Sequence, residues 1–149
     1  MNGKPCCRGC SKLACLAAAV AAITLIEIAL IIGGVLQPVS SYSPGNLLFA
    51  LARIAVVAYA GIVFAKQGLK KAAANGAILG LTTAVIMCLV SLASKPFFNK
   101  SIIGLSASSN GMLAILFALL VLQNAVIFAA VAVLTAWIAI RFGKPSRPR

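Results

Sequence analysis

Glu27 is the only acidic residue among 149, and it lies inside the uninterrupted apolar stretch 21–36. A lone carboxylate at mid-membrane costs about 2.5 to 3.5 kcal/mol on insertion scales, so it requires a partner or a functional use. Arg53 is the only basic residue inside another apolar stretch, and a guanidinium can bind a carboxylate through two parallel hydrogen bonds. The sequence therefore predicts an ion pair between Glu27 and Arg53.

Other polar residues occur at a similar depth in two further apolar stretches. Counting about 1.5 Å per residue from the ends of these stretches places Thr83, Gln123 and Asn124 near mid-membrane. Gln123 and Asn124 point about 100° apart on a helix, so we expect only one of them to face the bundle centre. We predict an intramembrane polar layer of Glu27, Arg53, Thr83 and Asn124, with Gln123 beside it.

Four cysteines, Cys6, Cys7, Cys10 and Cys15, cluster near the start of the first apolar stretch. Four thiolates could bind zinc or an iron–sulfur centre, but the chain has no second C-x-x-C pair. Cysteines beside basic residues next to a membrane also suit S-palmitoylation in a eukaryotic host. Plain reduced thiols are the leading interpretation, and no metal site or cofactor is predicted.

The composition offers little for enzymatic chemistry. The chain has no His and no second carboxylate that could form an acid/base pair with Glu27. We therefore predict no catalytic residues and no enzyme activity.

The overall composition is that of a membrane protein. The chain is 62% hydrophobic, only 9% of its residues are charged, and its mean hydropathy is +1.10. The net charge of +12 would suggest nucleic acid in a soluble protein. Here the basic residues are scattered between apolar stretches, which indicates contact with anionic lipid headgroups and excludes nucleic acid as the expected partner.

Four apolar stretches are long enough to cross about 30 Å of hydrocarbon as helices. We predict an all-α integral membrane protein, a single-domain bundle of four transmembrane helices at 13–36, 47–65, 72–93 and 112–140. A short interfacial helix around "SIIGL" is predicted before the fourth span, with a re-entrant segment as the alternative. The remaining segments are an N-terminal tail, 1–12, and a basic C-terminal tail, 141–149, expected to be disordered.

Basic residues are distributed unequally between the two sides of this bundle. One side carries two Lys, Lys95 and Lys100, whereas the tails and the middle connection on the other side carry ten Lys and Arg: Lys4, Arg8, Lys12, Lys66, Lys70, Lys71, Arg141, Lys144, Arg147 and Arg149. Because positive loops remain cytoplasmic, we expect both termini inside and Tyr42 and Lys100 outside.

Small residues predict where helices approach closely. Gly76 and Gly80 form a G-x-x-x-G in the third span, which favours close helix contact either within the bundle or between chains. On a helical wheel, Thr24 and Gly34 fall on the side of Glu27 and leave room for a neighbouring helix.

The polar layer supports two interpretations. In the first, the ion pair and its hydrogen-bonding neighbours fix which helices pack together. In the second, Glu27 is a proton or cation site. Four short spans with one membrane-embedded Glu in the first resemble the small multidrug resistance transporters, in which such a Glu exchanges protons for cationic substrates. This chain departs from that pattern in its greater length and in Arg53, which is expected to repel a cationic drug.

The predicted function is that of a small multi-pass membrane protein acting as a non-catalytic structural, accessory or assembly component through helix–helix contacts. Its expected partners are the lipid bilayer and other membrane subunits or a second copy of the chain. The alternative is a small proton-coupled transporter or channel that uses Glu27.

Overall fold

The computed structural model describes residues 8–39, 43–98 and 110–143, with side chains at 12–39, 43–93 and 114–143. Their fold is helical, and the four α-helices are α1 (Arg8–Ile32), α2 (Pro44–Phe64), α3 (Leu69–Phe98) and α4 (Asn110–Phe142). The segments that are long and apolar enough to cross a membrane are Lys12–Ile32, Pro44–Gln67, Leu69–Ala93 and Ala114–Phe142. The prediction of an all-α chain with four apolar helices is confirmed.

The first helix ends earlier than predicted because of a glycine turn. Gly34 has a φ of 77°, its N–H donates to the Ile31 carbonyl, and the Val35 N–H donates to the Leu30 carbonyl. This is the Schellman pattern, which favours glycine because its left-handed residue has no Cβ penalty. The helix therefore ends at Ile32 rather than Leu36, and Gly34 terminates α1 instead of lying on the helical face of Glu27.

The second helix begins at Pro44, three residues before the predicted start. The Ser43 hydroxyl accepts a hydrogen bond from the Asn46 backbone N–H at 3.4 Å, and proline suits the first helical turn because its missing N–H needs no partner there. The Asn46 side chain is buried and donates to the carbonyls of Gln37 and Pro38, each at 3.0 Å. Asn46 thus ties the connection after α1 to the beginning of α2.

The third and fourth helices are longer than predicted. A 3-10 turn, Ala65–Gln67, and Gly68 with a φ of 94° connect α2 to α3. The backbone of α3 remains helical through Pro96 and ends two residues later, so the predicted break after Ala93 is displaced to Phe98. The predicted interfacial helix at "SIIGL" and the tail beyond Gly143 lie outside the described residues.

The packing of the bundle follows from buried residues spaced three or four apart along each helix. Helices α2 and α3 lie between α1 and α4 and contact both of them. The main core cluster takes residues from all four helices: Val20, Val57, Ala60, Phe64, Leu79, Phe128 and Ala132. A second cluster, Ile28, Ile31 and Met87, lies towards the C-terminal ends of α1 and α3.

Glycines allow the backbone of α4 to approach α2 and α3. A Cβ on Gly76 would lie 2.6 Å from the Phe128 carbonyl oxygen, and one on Gly80 would lie 2.8 Å from the Asn124 carbonyl carbon. A Cβ on Gly61, in α2, would lie 3.1 Å from the carbonyl carbon of Ala132. The G-x-x-x-G of α3 therefore packs inside the bundle, against α4.

The close contact at Gly80 predicts a loss of stability in Gly80→Ala. The methyl group would meet backbone atoms of α4, which cannot rotate away, so we expect a loss of about 1 to 3 kcal/mol. This outweighs the roughly 1 kcal/mol that alanine gains over glycine in a helix. Thermal unfolding in detergent measures the change, with Ala74→Leu, an exposed position on α3, as the control. Equal stability of Gly80→Ala and the native chain would show that the contact is not tight.

Candidate functional site

Glu27 and Arg53 form a buried ion pair between α1 and α2. The Arg53 Nη1 donates to the Glu27 Oε2 at a distance of 2.6 Å. Glu27 has no exposed surface and Arg53 is 7% exposed. The sole carboxylate of the chain is thus enclosed by the bundle and neutralised by a guanidinium.

The pair is enclosed because each helix carries apolar residues one or two turns away on the same face. In α1, Val20 lies on one side of Glu27 along the helix and Ile31 on the other, and both are buried. In α2, Val57 follows Arg53 by one turn and is completely buried. This apolar environment strengthens the attraction between the charges and raises the cost of leaving either one alone.

The ion pair uses one carboxylate oxygen rather than the two that a bidentate pair would use. The Glu27 Oε1 is buried and has no hydrogen-bond partner in the described part of the chain. Arg53 also borders a small cavity of about 70 Å³ between α2, α3 and α4, which is lined by Val39, Arg53, Thr83, Met87, Leu120 and Asn124.

Thr83 and Asn124 face this cavity while bonded to their own helices. The Thr83 hydroxyl donates to the Leu79 carbonyl at 3.2 Å, and the Asn124 amide nitrogen donates to the Leu120 carbonyl at 2.9 Å. The hydroxyl oxygen of Thr83 and the amide oxygen of Asn124 remain able to accept hydrogen bonds. The arrangement can hold a small polar molecule between Arg53 and these two acceptors.

Gln123 lies apart from these residues. Its side chain is exposed, whereas its neighbour Asn124 lines the cavity. The structure therefore brings together Glu27 with Arg53, and Arg53 with Thr83 and Asn124, but places Gln123 on the outer face of α4.

The cysteine cluster is described only in part. Cys6 and Cys7 lie outside the described residues, as does the side chain of Cys10. Cys15 is a free, exposed cysteine in a groove of about 200 Å³ that it shares with Lys12 and Tyr59. The described residues include no group of three or more His, Cys, Asp or Glu side chains able to hold a metal.

Three structural contacts were not predicted from the sequence. Thr24, predicted only to leave room beside Glu27, is completely buried and donates to the Val20 carbonyl at 2.8 Å. Asn46 ties the first connection to α2, whereas "SPGN" is a signal only for the beginning of a helix. Gly61 packs against α4, but a single glycine in an apolar stretch carried no such signal.

Comparison of the chain with protein-family models, with curated proteins and with solved structures finds no match.

The ion pair predicts strong coupling between substitutions at its two positions. Glu27→Gln leaves the Arg53 charge uncompensated and Arg53→Leu leaves the Glu27 charge uncompensated, so each should cost on the order of 3 kcal/mol. The double variant should recover much of that loss, because neither buried charge remains. The measurement is a double-mutant cycle, in which the thermal unfolding of the native chain, the two single variants and the double variant is compared in one detergent.

Lys70→Gln is the control for this cycle, because it removes a charge from an exposed position and should leave stability unchanged. Additive losses from the Glu27 and Arg53 substitutions would contradict an energetic coupling between them.

Proposed function

We propose that this chain is a multi-pass integral membrane protein with four spans and both termini in the cytoplasm. Its four apolar helices support insertion. The Lys and Arg bias supports the orientation, since ten basic residues flank one side of the bundle and two the other. Trp137 near the end of α4 suits a membrane interface, and the Arg141 guanidinium lies 5.4 Å from the centre of its ring.

Within that membrane, we propose a non-catalytic structural, accessory or assembly role that uses the lateral surface of α4. The observation that carries this proposal is the exposed amide of Gln123 near the middle of the apolar helix. Lipid chains offer no hydrogen-bond partner to an amide. A polar group on another membrane helix can form a hydrogen bond with it, which is worth about 1 kcal/mol. Exposed apolar residues surround it and provide the contact surface: Ile115, Leu119, Leu122 and Val126.

The small buried area of α4 further supports a lateral contact. It is the least buried of the four spanning segments, although α2 and α3 both pack against it. Ala132 and Phe128 of α4 pack against those two helices, whereas Leu119, Leu122 and Leu134 are exposed. The partner is therefore another membrane helix, from a different subunit or a second copy, with a polar side chain at the depth of Gln123.

The ion pair supports a structural role rather than transport. Glu27 is completely buried and its charge is matched by Arg53 at 2.6 Å. Breaking such a pair is costly, and pairs of this kind can specify which elements pack together. In this proposal the pair holds α1 against α2, and the lateral surface of α4 stays free for a partner helix.

A small proton-coupled transporter or channel is the second candidate. It is favoured by one observation, the cavity of about 70 Å³ where Arg53 meets Thr83 and Asn124. A polar cavity beside an intramembrane charge is a common feature of ion and proton pathways. In this candidate Glu27 exchanges its partner Arg53 for a proton or a cation during transport.

The orientation predicts which positions a membrane-impermeant thiol reagent reaches. On a cysteine-free background, we expect Gln37→Cys to react from outside intact cells and Lys70→Cys to react only after permeabilisation. Both positions are exposed in the structure, so lack of labelling cannot be due to burial. Reaction of Lys70→Cys from outside intact cells would reverse the proposed topology.

The assembly role predicts a specific contact near Gln123. A photo-reactive residue replacing Val126, one turn away on the same face, should give one discrete protein adduct in native membranes. Gln123→Leu in that background should reduce the adduct up to about fivefold, because a hydrogen bond worth about 1 kcal/mol is lost. Thr82→Val, which removes a hydroxyl from the surface of α3, is the matched control and should retain it. Adducts with lipid alone would contradict an α4 interface.

Flux through liposomes separates the two candidates. With purified protein and an imposed pH gradient, we expect the same proton leak from the native chain and from the Glu27→Gln, Arg53→Leu double variant. The double variant is suitable because it removes the titratable carboxylate without leaving Arg53 buried alone. A flux that the native chain supports and the double variant lacks would establish the transporter candidate in place of the structural role.

A further inference from the structure

A groove opens between the end of α2 and the end of α4, on the side of the bundle proposed to face the cytoplasm. Its volume is about 500 Å³, within the range of about 300 to 1,000 Å³ typical of ligand sites. Six of its lining residues define its character: Ile62, Ala65, Lys66, Ile138, Ala139 and Phe142.

The groove exists because small residues lie at its base and larger ones at its edges. Ala65 is buried and Ala139 is partly buried, whereas Ile62 and Phe142 are exposed. The Ala65–Gln67 turn directs the chain towards α3, while α4 continues to Phe142. The apolar wall of the groove is thus left open at the C-terminal end of α4.

Lys66 is the only charged residue that lines this groove, and it is exposed. The chain has one acidic side chain, that of Glu27, and the Arg53 guanidinium already binds it at 2.6 Å. No carboxylate side chain therefore remains to neutralise Lys66. An anion from the surroundings can therefore pair with it.

The same end of α4 carries an interfacial marker. Trp137 and Arg141 are in cation–π contact one turn apart, and Ile138 and Phe142 of the groove directly follow them in sequence. Tryptophan and basic residues are characteristic of the headgroup level of a bilayer. Lys66 thus lies where a lipid phosphate is found, and the apolar groove lies beside it.

We propose that this groove binds one acyl chain of an anionic phospholipid from the surrounding bilayer, with its phosphate at Lys66. The apolar walls contact the chain, and the lysine ammonium supplies the charge that selects an anionic over a zwitterionic headgroup. This inference rests on the proposed membrane insertion and identifies a specific lipid site within it.

The test is a lipid titration of the purified full-length chain in detergent, monitored by native mass spectrometry. Phosphatidylglycerol and phosphatidylcholine with identical acyl chains are compared. We expect one phosphatidylglycerol to bind the native chain more tightly than phosphatidylcholine. Lys66→Gln should weaken phosphatidylglycerol binding about fivefold, as expected for one lysine near a lipid surface, while Lys66→Arg should retain it.

Lys70→Gln is the matched control, because it removes the same charge from an exposed residue in the first turn of α3 that does not line the groove. It should leave lipid binding at the native level. Phe142→Ala tests the apolar wall and should weaken binding of phosphatidylglycerol. Phe142 is 70% exposed, so its truncation should leave the fold intact, which unchanged thermal unfolding verifies.

Three results would overturn the proposal. Equal losses in Lys66→Gln and Lys70→Gln would indicate diffuse charge attraction. Equal binding of the two lipids would indicate an apolar contact without headgroup selection, and competition by glycerol phosphate at the same concentration as the lipid would indicate a site for free phosphate. Thiol labelling at Gln37→Cys and Lys70→Cys is independent of this site, so failure of the lipid proposal leaves the topology result unchanged.

Discussion

The structure depends on the neutralisation of one buried charge, that of Glu27, inside an apolar helical bundle. Glu27 is the single carboxylate of the chain, and it has no contact with solvent. Such a group is tolerated only if a cation reaches it inside the protein, and Arg53 does so from the neighbouring helix. The requirement fixes the rotation of α1 and α2 about their axes, because both charged side chains must face their shared interface.

Close packing of small residues supplies the complementary constraint on the other side of the bundle. In lipid, apolar helices gain no hydrophobic advantage from contacting each other, so shape and backbone approach determine association. Gly61 on α2 and Gly76 on α3 both contact Ala132 of α4. The ion pair thus orients α1 and α2, while glycines position α4, and Leu119, Leu122 and Leu134 of α4 remain exposed.

The chain has a large excess of basic over acidic side chains, and among the described basic side chains only that of Arg53 is paired with Glu27. The chain has thirteen Lys and Arg and one Glu. Once Arg53 has taken that Glu, the other basic side chains have no carboxylate side chain to bind. Their number and position at helix ends favour anionic headgroups as counter-ions. In the proposed membrane setting, this excess of positive charge is the basis for the expected contact with anionic lipids.

The amino-acid sequence alone determined that the chain forms four apolar helices, because runs of about 20 predominantly apolar residues admit few other structures. It also identified Glu27 and Arg53 as partners, because no other acidic residue exists and no other basic residue interrupts an apolar run. It could not determine the end of α1, since Gly34 is equally compatible with a helical face and with the left-handed turn that it adopts. Nor could it decide between Gln123 and Asn124: adjacent residues on a uniformly apolar helix differ only in direction. The contacts of Gly76 and Gly80 with the backbone of α4 set the rotation of that helix, and this tertiary contact turns Asn124 towards the cavity and Gln123 outwards.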